Sequence, residues 1–167
     1  MAPTLCSPEA FASLSFPSID IRSVYASQVI GFPIEDAAQI PNFGFYPSGT
    51  VDFCNVTIVY SHPGEEDYPI AFEAWLPDHD SWNERLIASG GSGFAAGKFS
   101  DTYRFMSGLI NEGYASFTTD GGAPNVTNFE FALKEKGVLD EVSLRNWGSV
   151  AIGEMVRLNS ELAWVPG

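Results

Sequence analysis

Apolar and polar residues alternate along Asn55-Val56-Thr57-Ile58-Val59-Tyr60-Ser61 and again along Pro69-Ile70-Ala71-Phe72-Glu73-Ala74-Trp75-Leu76. A period of two puts successive side chains on opposite faces, so both stretches read as strands. The acidic turn His62-Pro63-Gly64-Glu65-Glu66-Asp67 joins them into an antiparallel hairpin, expected at a sheet edge. After the polar loop Pro77-Asp78-His79-Asp80-Ser81-Trp82-Asn83, the short apolar run Arg85-Leu86-Ile87-Ala88 is expected to be a central strand. It ends in four glycines within eight residues, Gly90-Gly91-Ser92-Gly93-Phe94-Ala95-Ala96-Gly97. A helix is expected over residues 102–112, entered through Ser100-Asp101 as a capping pair and stopped by Gly113. The β-branched and aromatic run Tyr114-Ala115-Ser116-Phe117-Thr118-Thr119-Asp120 is a further strand. Strand, helix and strand make a parallel βαβ unit, with the glycine loop at the carboxyl end of its first strand, where open α/β sheets carry their sites. The hairpin feeding this unit predicts a mixed sheet of α/β class.

The longest helical period spans residues 143–162. Trp147, Ala151, Met155, Leu158 and Leu162 repeat at 3/4 spacing, Ile152 and Val156 widen that face, and Glu154, Arg157 and Glu161 share a narrow polar strip. Such a helix is expected to lie largely buried against the sheet. Between the second glycine turn, Gly121-Gly122-Ala123-Pro124, and this helix lies a short aromatic segment at 128–133. The first fifty residues have a weaker pattern. Ser7-Pro8-Glu9-Ala10-Phe11 reads as a cap and a short helix, and residues 19–29 as a strand. Residues 32–49 carry Pro33, Pro41 and Pro47 among several glycines and are expected to form an irregular arm. Ile34, Phe43, Phe45 and Tyr46 require burial within it. Residues 1–53 thus read as an N-terminal arm and residues 54–167 as the core.

Chemistry narrows the reading. Glycine lets other groups approach the main chain closely, so the loop at Gly90, Gly91, Ser92 and Gly93 presents backbone amides. One use is a phosphate cradle, since Gly91-Ser92-Gly93-Phe94-Ala95-Ala96 matches Gly-x-Gly-x-x-[Gly/Ala]. Several residues nevertheless separate it from the next helix, and Asp120 lies too far on for the acidic partner. A second use is an oxyanion hole for the tetrahedral intermediate of acyl transfer. A third is a tight turn that lets helix and strand pack closely. No Gly-x-Ser-x-Gly occurs, and both histidines, His62 and His79, precede the glycine loop. The order Ser, acid, His of an α/β-hydrolase triad is therefore absent. Asp78-His79-Asp80 reads as a solvated turn.

The formal charge of −13 comes with no basic stripe, which argues against nucleic-acid binding. No apolar run reaches the ~20 residues that span a bilayer, and the start lacks the basic and apolar regions of a signal peptide. Two sequons, Asn55-Val56-Thr57 and Asn125-Val126-Thr127, nevertheless point to secretion. The two cysteines, Cys6 and Cys54, read equally as a bridge or as buried thiols. A bridge closes a long loop and stabilises by roughly 4 kcal/mol in the chain-entropy model.

Four stretches together carry a resemblance. They are Phe53-Cys54-Asn55-Val56-Thr57-Ile58-Val59-Tyr60-Ser61-His62-Pro63-Gly64; Trp75-Leu76-Pro77 with Trp82-Asn83-Glu84-Arg85-Leu86; the glycine stretch through Ala95-Ala96-Gly97; and Gly113-Tyr114-Ala115, Thr119-Asp120-Gly121-Gly122 and Phe131-Ala132-Leu133. In order and spacing, from Cys54 to about Leu162, the chain resembles the tannase and feruloyl esterase family of secreted carboxylic ester hydrolases.

The resemblance implies an α/β-hydrolase fold with an inserted lid, here the first half of the core, ending before the nucleophile strand. It implies galloyl or feruloyl esters as substrates and acyl transfer through a serine in Cys-Ser-x-Gly-Gly, with Asp and His supplied later. It also implies a calcium ion in the lid and a Cys6–Cys54 disulfide. Neither the serine motif nor the lid is present in this chain, so no catalytic residue is assigned and no cofactor is expected. Ser92 stands where the family has a glycine, and Ala123 where a histidine often follows Asp-Gly-Gly. The expected function is that of an N-terminal portion of such an esterase, inactive alone. The alternative is a non-catalytic secreted remnant that binds aromatic or glycan ligands.

Overall fold

The computed structural model describes residues 6–34, 49–123 and 128–162. Among these residues five strands form one mixed sheet: β1 (Asp20–Ile34), β2 (Gly49–Ser61), β3 (Ile70–Leu76), β4 (Leu86–Ala88) and β5 (Ala115–Thr119), in the order β1-β2-β3-β5-β4. β1, β2, β3 and β5 pair antiparallel in turn, while β4 and β5 are parallel. The βαβ unit is as expected, its crossover being α1 (Ser100–Asn111).

Two placements differ from expectation. The β2–β3 hairpin is internal, because β1 runs on to Ile34 and pairs along the whole outer side of β2. Among the described residues β4 is an edge strand rather than a central one. The boundary expected at 53/54 falls inside β2. Phe43, Phe45, Tyr46 and the Asn125 sequon lie outside the described residues.

The two faces of the sheet are covered differently. On one, α1 packs Met106 and Ile110 against Val51, Phe53 and Trp75. The rings of Phe53, Trp75 and Tyr103 stack in a column, with centroids 4.1 and 5.5 Å apart. On the other, Val56, Ile58, Tyr60, Phe72 and Phe117 meet the second helical run and Phe11 of the N-terminal 3-10 turn Pro8–Phe11. That turn is tied to β2 by the Cys6–Cys54 disulfide, with Cα atoms 5.5 Å apart. The bridge settles the choice that composition left open.

The second run is α2 (Glu141–Arg145), a π turn at Asn146–Val150 and α3 (Ala151–Leu162). It begins before the expected Ser143, because the Asp140 side chain caps it by accepting from the Ser143 amide at 3.1 Å. Likewise α1 starts at Ser100 with Phe99 as its N-cap, so Ser100-Asp101 form the first turn instead of the cap.

Ala151, Met155, Leu158 and Leu162 are buried as expected, whereas Ile152 and Val156 are 50% and 56% exposed. Glu154, expected on a polar strip, is only 7% exposed. The stripe that meets the sheet is narrower than the apolar pattern and turned toward Glu154, because His62 waits there. His62 Nε2 stands 2.7 Å from Glu154 Oε1, and His62 Nδ1 lies 3.5 Å from Glu65, which also pairs with Arg145. These contacts hold the β2–β3 turn on the helix. A small hairpin, β6 (Leu133–Glu135) and β7 (Val138–Leu139), follows the aromatic segment and shares Leu133 with it.

Candidate functional site

The register brings Tyr60, Ile70 and Thr119 to one edge of the sheet, where the parallel strand β4 also ends. The 62–69 turn, the glycine loop and the Asp120-Gly121-Gly122 turn all leave from there. The glycine loop starts from a fixed point. Ser89 is buried, donating its amide to Phe117 O at 2.7 Å and sharing a 3.1 Å hydroxyl contact with Ser116. Gly90, Gly91, Ser92 and Gly93 then rise into solvent. Thr102 Oγ1 donates to Gly90 O at 3.1 Å, and Ala95 N to Ser92 O at 3.2 Å, closing the tip. The amides of Gly90 and Gly91 make no hydrogen bond among the described residues.

The glycines serve different ends. A Cβ at Gly91 overlaps the Ala95 carbonyl oxygen, so only glycine allows the loop to fold back on itself. Gly93 turns the tip with φ +61°. Gly97 is seated flush on β5, where a Cβ overlaps the Thr118 hydroxyl and lies 2.6 Å from Thr119 O. Gly121, with φ +68°, faces the Ala96 methyl, which would lie 2.9 Å from an added Cβ. The returning leg is thus pressed onto β5, the neighbour of the strand β4 that the outgoing leg leaves.

Lys98 ends the loop in a left-handed conformation, φ +56°, which a residue with a Cβ adopts only when its surroundings hold it there. The hold is Glu73, on β3 and 5% exposed. Its Oε2 accepts from Lys98 Nζ and from the Tyr103 hydroxyl at 3.0 Å, and its Oε1 from Trp75 Nε1 at 2.9 Å. One buried carboxylate therefore joins loop, helix and strand. Burial, and then the Glu73 charge, pushes the Tyr103 phenol well above its usual range, so it remains a donor. Burial also raises Asp120, against the opposing pull of the Ala71 and Gly122 amides and of Lys98. Asp120 Oδ1 accepts from those two amides at 2.9 and 2.8 Å and fixes the second glycine turn.

An aromatic group borders the loop. Trp147, on the π turn, donates Nε1–H to Phe94 O at 2.9 Å. The Phe94 ring meets Phe129 with centroids 4.2 Å apart, and Phe131 meets Trp147 at 5.3 Å.

Sequence reasoning found the glycine stretch but missed Glu73, Lys98, Tyr103 and Trp147. The available signal was a lone acid within the apolar strand β3. His62 is engaged with Glu154, and the exposed His79 lies on the connection to the opposite end of β4. Asn55 sits mid-strand and half-buried, with Oδ1 buried and unpartnered. Among the described residues no three His, Cys, Asp or Glu side chains stand together to hold a cation.

Residues 54–163 match the family model described as tannase and feruloyl esterase. The chain is 36% identical over 123 residues to a probable feruloyl esterase of Arthroderma benhamiae, covering 72% of this chain and 22% of that one. It is 26% identical over 118 residues to a tannase of Aspergillus oryzae, covering 69% of this chain and 19% of the other. Among solved structures, tannin acyl hydrolase from Aspergillus niger superposes with a TM-score of 0.79 at 28% identity, over 95% of this chain and 28% of that one. The chain therefore spans about a fifth of the length of these curated relatives. With a family model matched over residues 54–163, which take in most of β2, strands β3 to β5, the glycine loop and both helical runs, the chain belongs to the tannase and feruloyl esterase family.

Proposed function

We propose that this chain is the N-terminal part of a carboxylic ester hydrolase acting on aromatic, feruloyl or galloyl, esters through a serine acyl-enzyme. The amides of Gly90 and Gly91 are its oxyanion donors, with Ser92 and Gly93 shaping the loop. The observation that carries this reading is the pair of exposed glycines, Gly90 and Gly91, whose amides make no hydrogen bond among the described residues, at the carboxyl end of a parallel strand, on a loop whose other leg is locked to the sheet. Preorganised donors of this kind act on the charge that develops as a carbonyl is attacked, and fixed donors need no rearrangement at that moment.

The sheet reads as an incomplete α/β-hydrolase, and serine, acid and histidine are supplied by polypeptide outside this sequence. Alone, the chain is inactive. The disulfide fits an oxidising compartment, hence secretion, with Asn55 and Asn125 as acceptors for glycans. The substrate is a small neutral ester; neither nucleic acid nor membrane is a partner.

Incubation of the purified chain with methyl ferulate and methyl gallate is expected to give no turnover above the buffer blank, and robust turnover overturns the inactivity. Reading the coding DNA in frame past codon 167 is expected to find Cys-Ser-x-Gly-Gly; its absence overturns the esterase reading. The second reading, a non-catalytic binder of aromatic or glycan ligands, is favoured by one observation: Phe129 is 64% exposed beside the loop tip.

A further inference from the structure

The aromatic group at the loop tip is placed by three separate parts of the chain. Phe94 comes from the glycine loop, Phe129 and Phe131 from the turn around Glu130–Ala132, and Trp147 from the π turn. The Trp147 hydrogen bond to Phe94 O fixes the main chain at the tip, three residues beyond Gly91. Phe94 is half-buried and backs Phe129, whose ring is tilted 59° to it and remains 64% exposed. A large ring held against a second ring, with its outer surface in water, is a stacking surface in waiting. Phe94 lies on the same loop as Gly90 and Gly91, so the ring pair stands on the segment that carries those amides. The protein's strong negative charge favours a neutral ligand over an anion.

We propose that Phe129, backed by Phe94, is the specificity-determining platform on which the aromatic ring of the acyl group lies while its carbonyl oxygen points to Gly90 and Gly91. This rests on the reading of the glycine loop as a carbonyl-binding site and adds which residues select the ring. Trp147 is a positioning residue: it holds Phe94 through the main chain.

The test is titration of the 167-residue chain, by calorimetry and saturation-transfer NMR, with methyl ferulate, methyl hexanoate and 4-ethylguaiacol, which has the ring without the carbonyl. Methyl ferulate is expected to bind saturably and methyl hexanoate at least several-fold more weakly. Phe129→Ala is expected to weaken methyl ferulate roughly two- to tenfold, as one aromatic pair is worth, with Phe129→Trp restoring it. Because Phe129 is exposed, its removal leaves the fold intact, and Tyr25→Ala, on β1, serves as an exposed aromatic control without effect.

Equal binding of the aliphatic ester, no binding of methyl ferulate, or an unchanged Phe129→Ala overturns the platform. The ring-only probe separates this inference from the esterase reading. If 4-ethylguaiacol binds and is weakened by Phe129→Ala to the same degree, the platform stands even where the coding DNA lacks the serine motif. If the motif is present and Phe129→Ala binds methyl ferulate normally, the platform alone fails.

Discussion

The two legs of the glycine loop are built from the same residue type for opposite reasons. On the outgoing leg, Gly90 and Gly93 have nothing within 4 Å of an added Cβ, and Gly91 is confined only by the loop's own main chain. On the returning leg, Gly97 has no space at all against β5, and the next residue, Lys98, is tied to the buried Glu73. Freedom to present amides on one side thus depends on rigidity on the other. A glycine stretch read as a single flexible unit hides that division.

Substitutions can break the comparison, and the largest effect is expected at the anchor. Glu73→Ala removes the acceptor for Lys98, Tyr103 and Trp75 at once and is expected to destabilise by about 3–5 kcal/mol, the cost of stranding partly buried donors and a charge. Urea unfolding measures this, and Glu73→Gln should recover part of the loss. Next comes Gly97→Ala. Its methyl group has only the Thr118 hydroxyl and the Thr119 carbonyl to enter, so about 1–3 kcal/mol is expected, with amide exchange accelerated across residues 89–99.

Asp120 gives a smaller, pH-linked effect. Its folded-state pKa is raised by burial, so the folded protein holds this proton more tightly than the unfolded chain does. That contribution to stability is complete below the ordinary aspartate value. It is lost as pH climbs from about 4 through the raised folded value. Asp120→Asn retains an oxygen for the Ala71 and Gly122 amides, and it is expected to flatten this part of the stability–pH curve; an unchanged slope refutes the assignment. The smallest effect belongs to Gly90→Ala, which meets open space and should change the unfolding free energy by no more than about 0.5 kcal/mol. A large loss there would mean that the outgoing leg is as tightly held as the returning one.

Much of the fold was legible because period two and period 3.6 persist over long stretches. Residues 55–61, 70–76 and 102–112 show the pattern plainly, and four glycines in eight residues announce a loop whose main chain matters. Other features depend on partners remote in sequence. No helical period reveals that Glu154 is buried, since the reason, His62, lies 92 residues away. Ile152 and Val156 continue the apolar pattern beyond the stripe that the sheet can cover. β6 and β7 are too short for any period to register. Glu73 and Lys98 come together only through the pairing of β3 with β5 and the fold of the glycine loop, so the anchor of the candidate site stayed hidden while its exposed half was plain.

The Cys6–Cys54 bridge encloses all of β1 together with residues 35–48 in one covalent ring. A protease that severs the main chain anywhere inside that ring produces a nick without producing two molecules. Such a cut shows on a gel only after reduction, and β1 stays tethered at both ends of the break while the wound backbone remains hydrogen-bonded to β2.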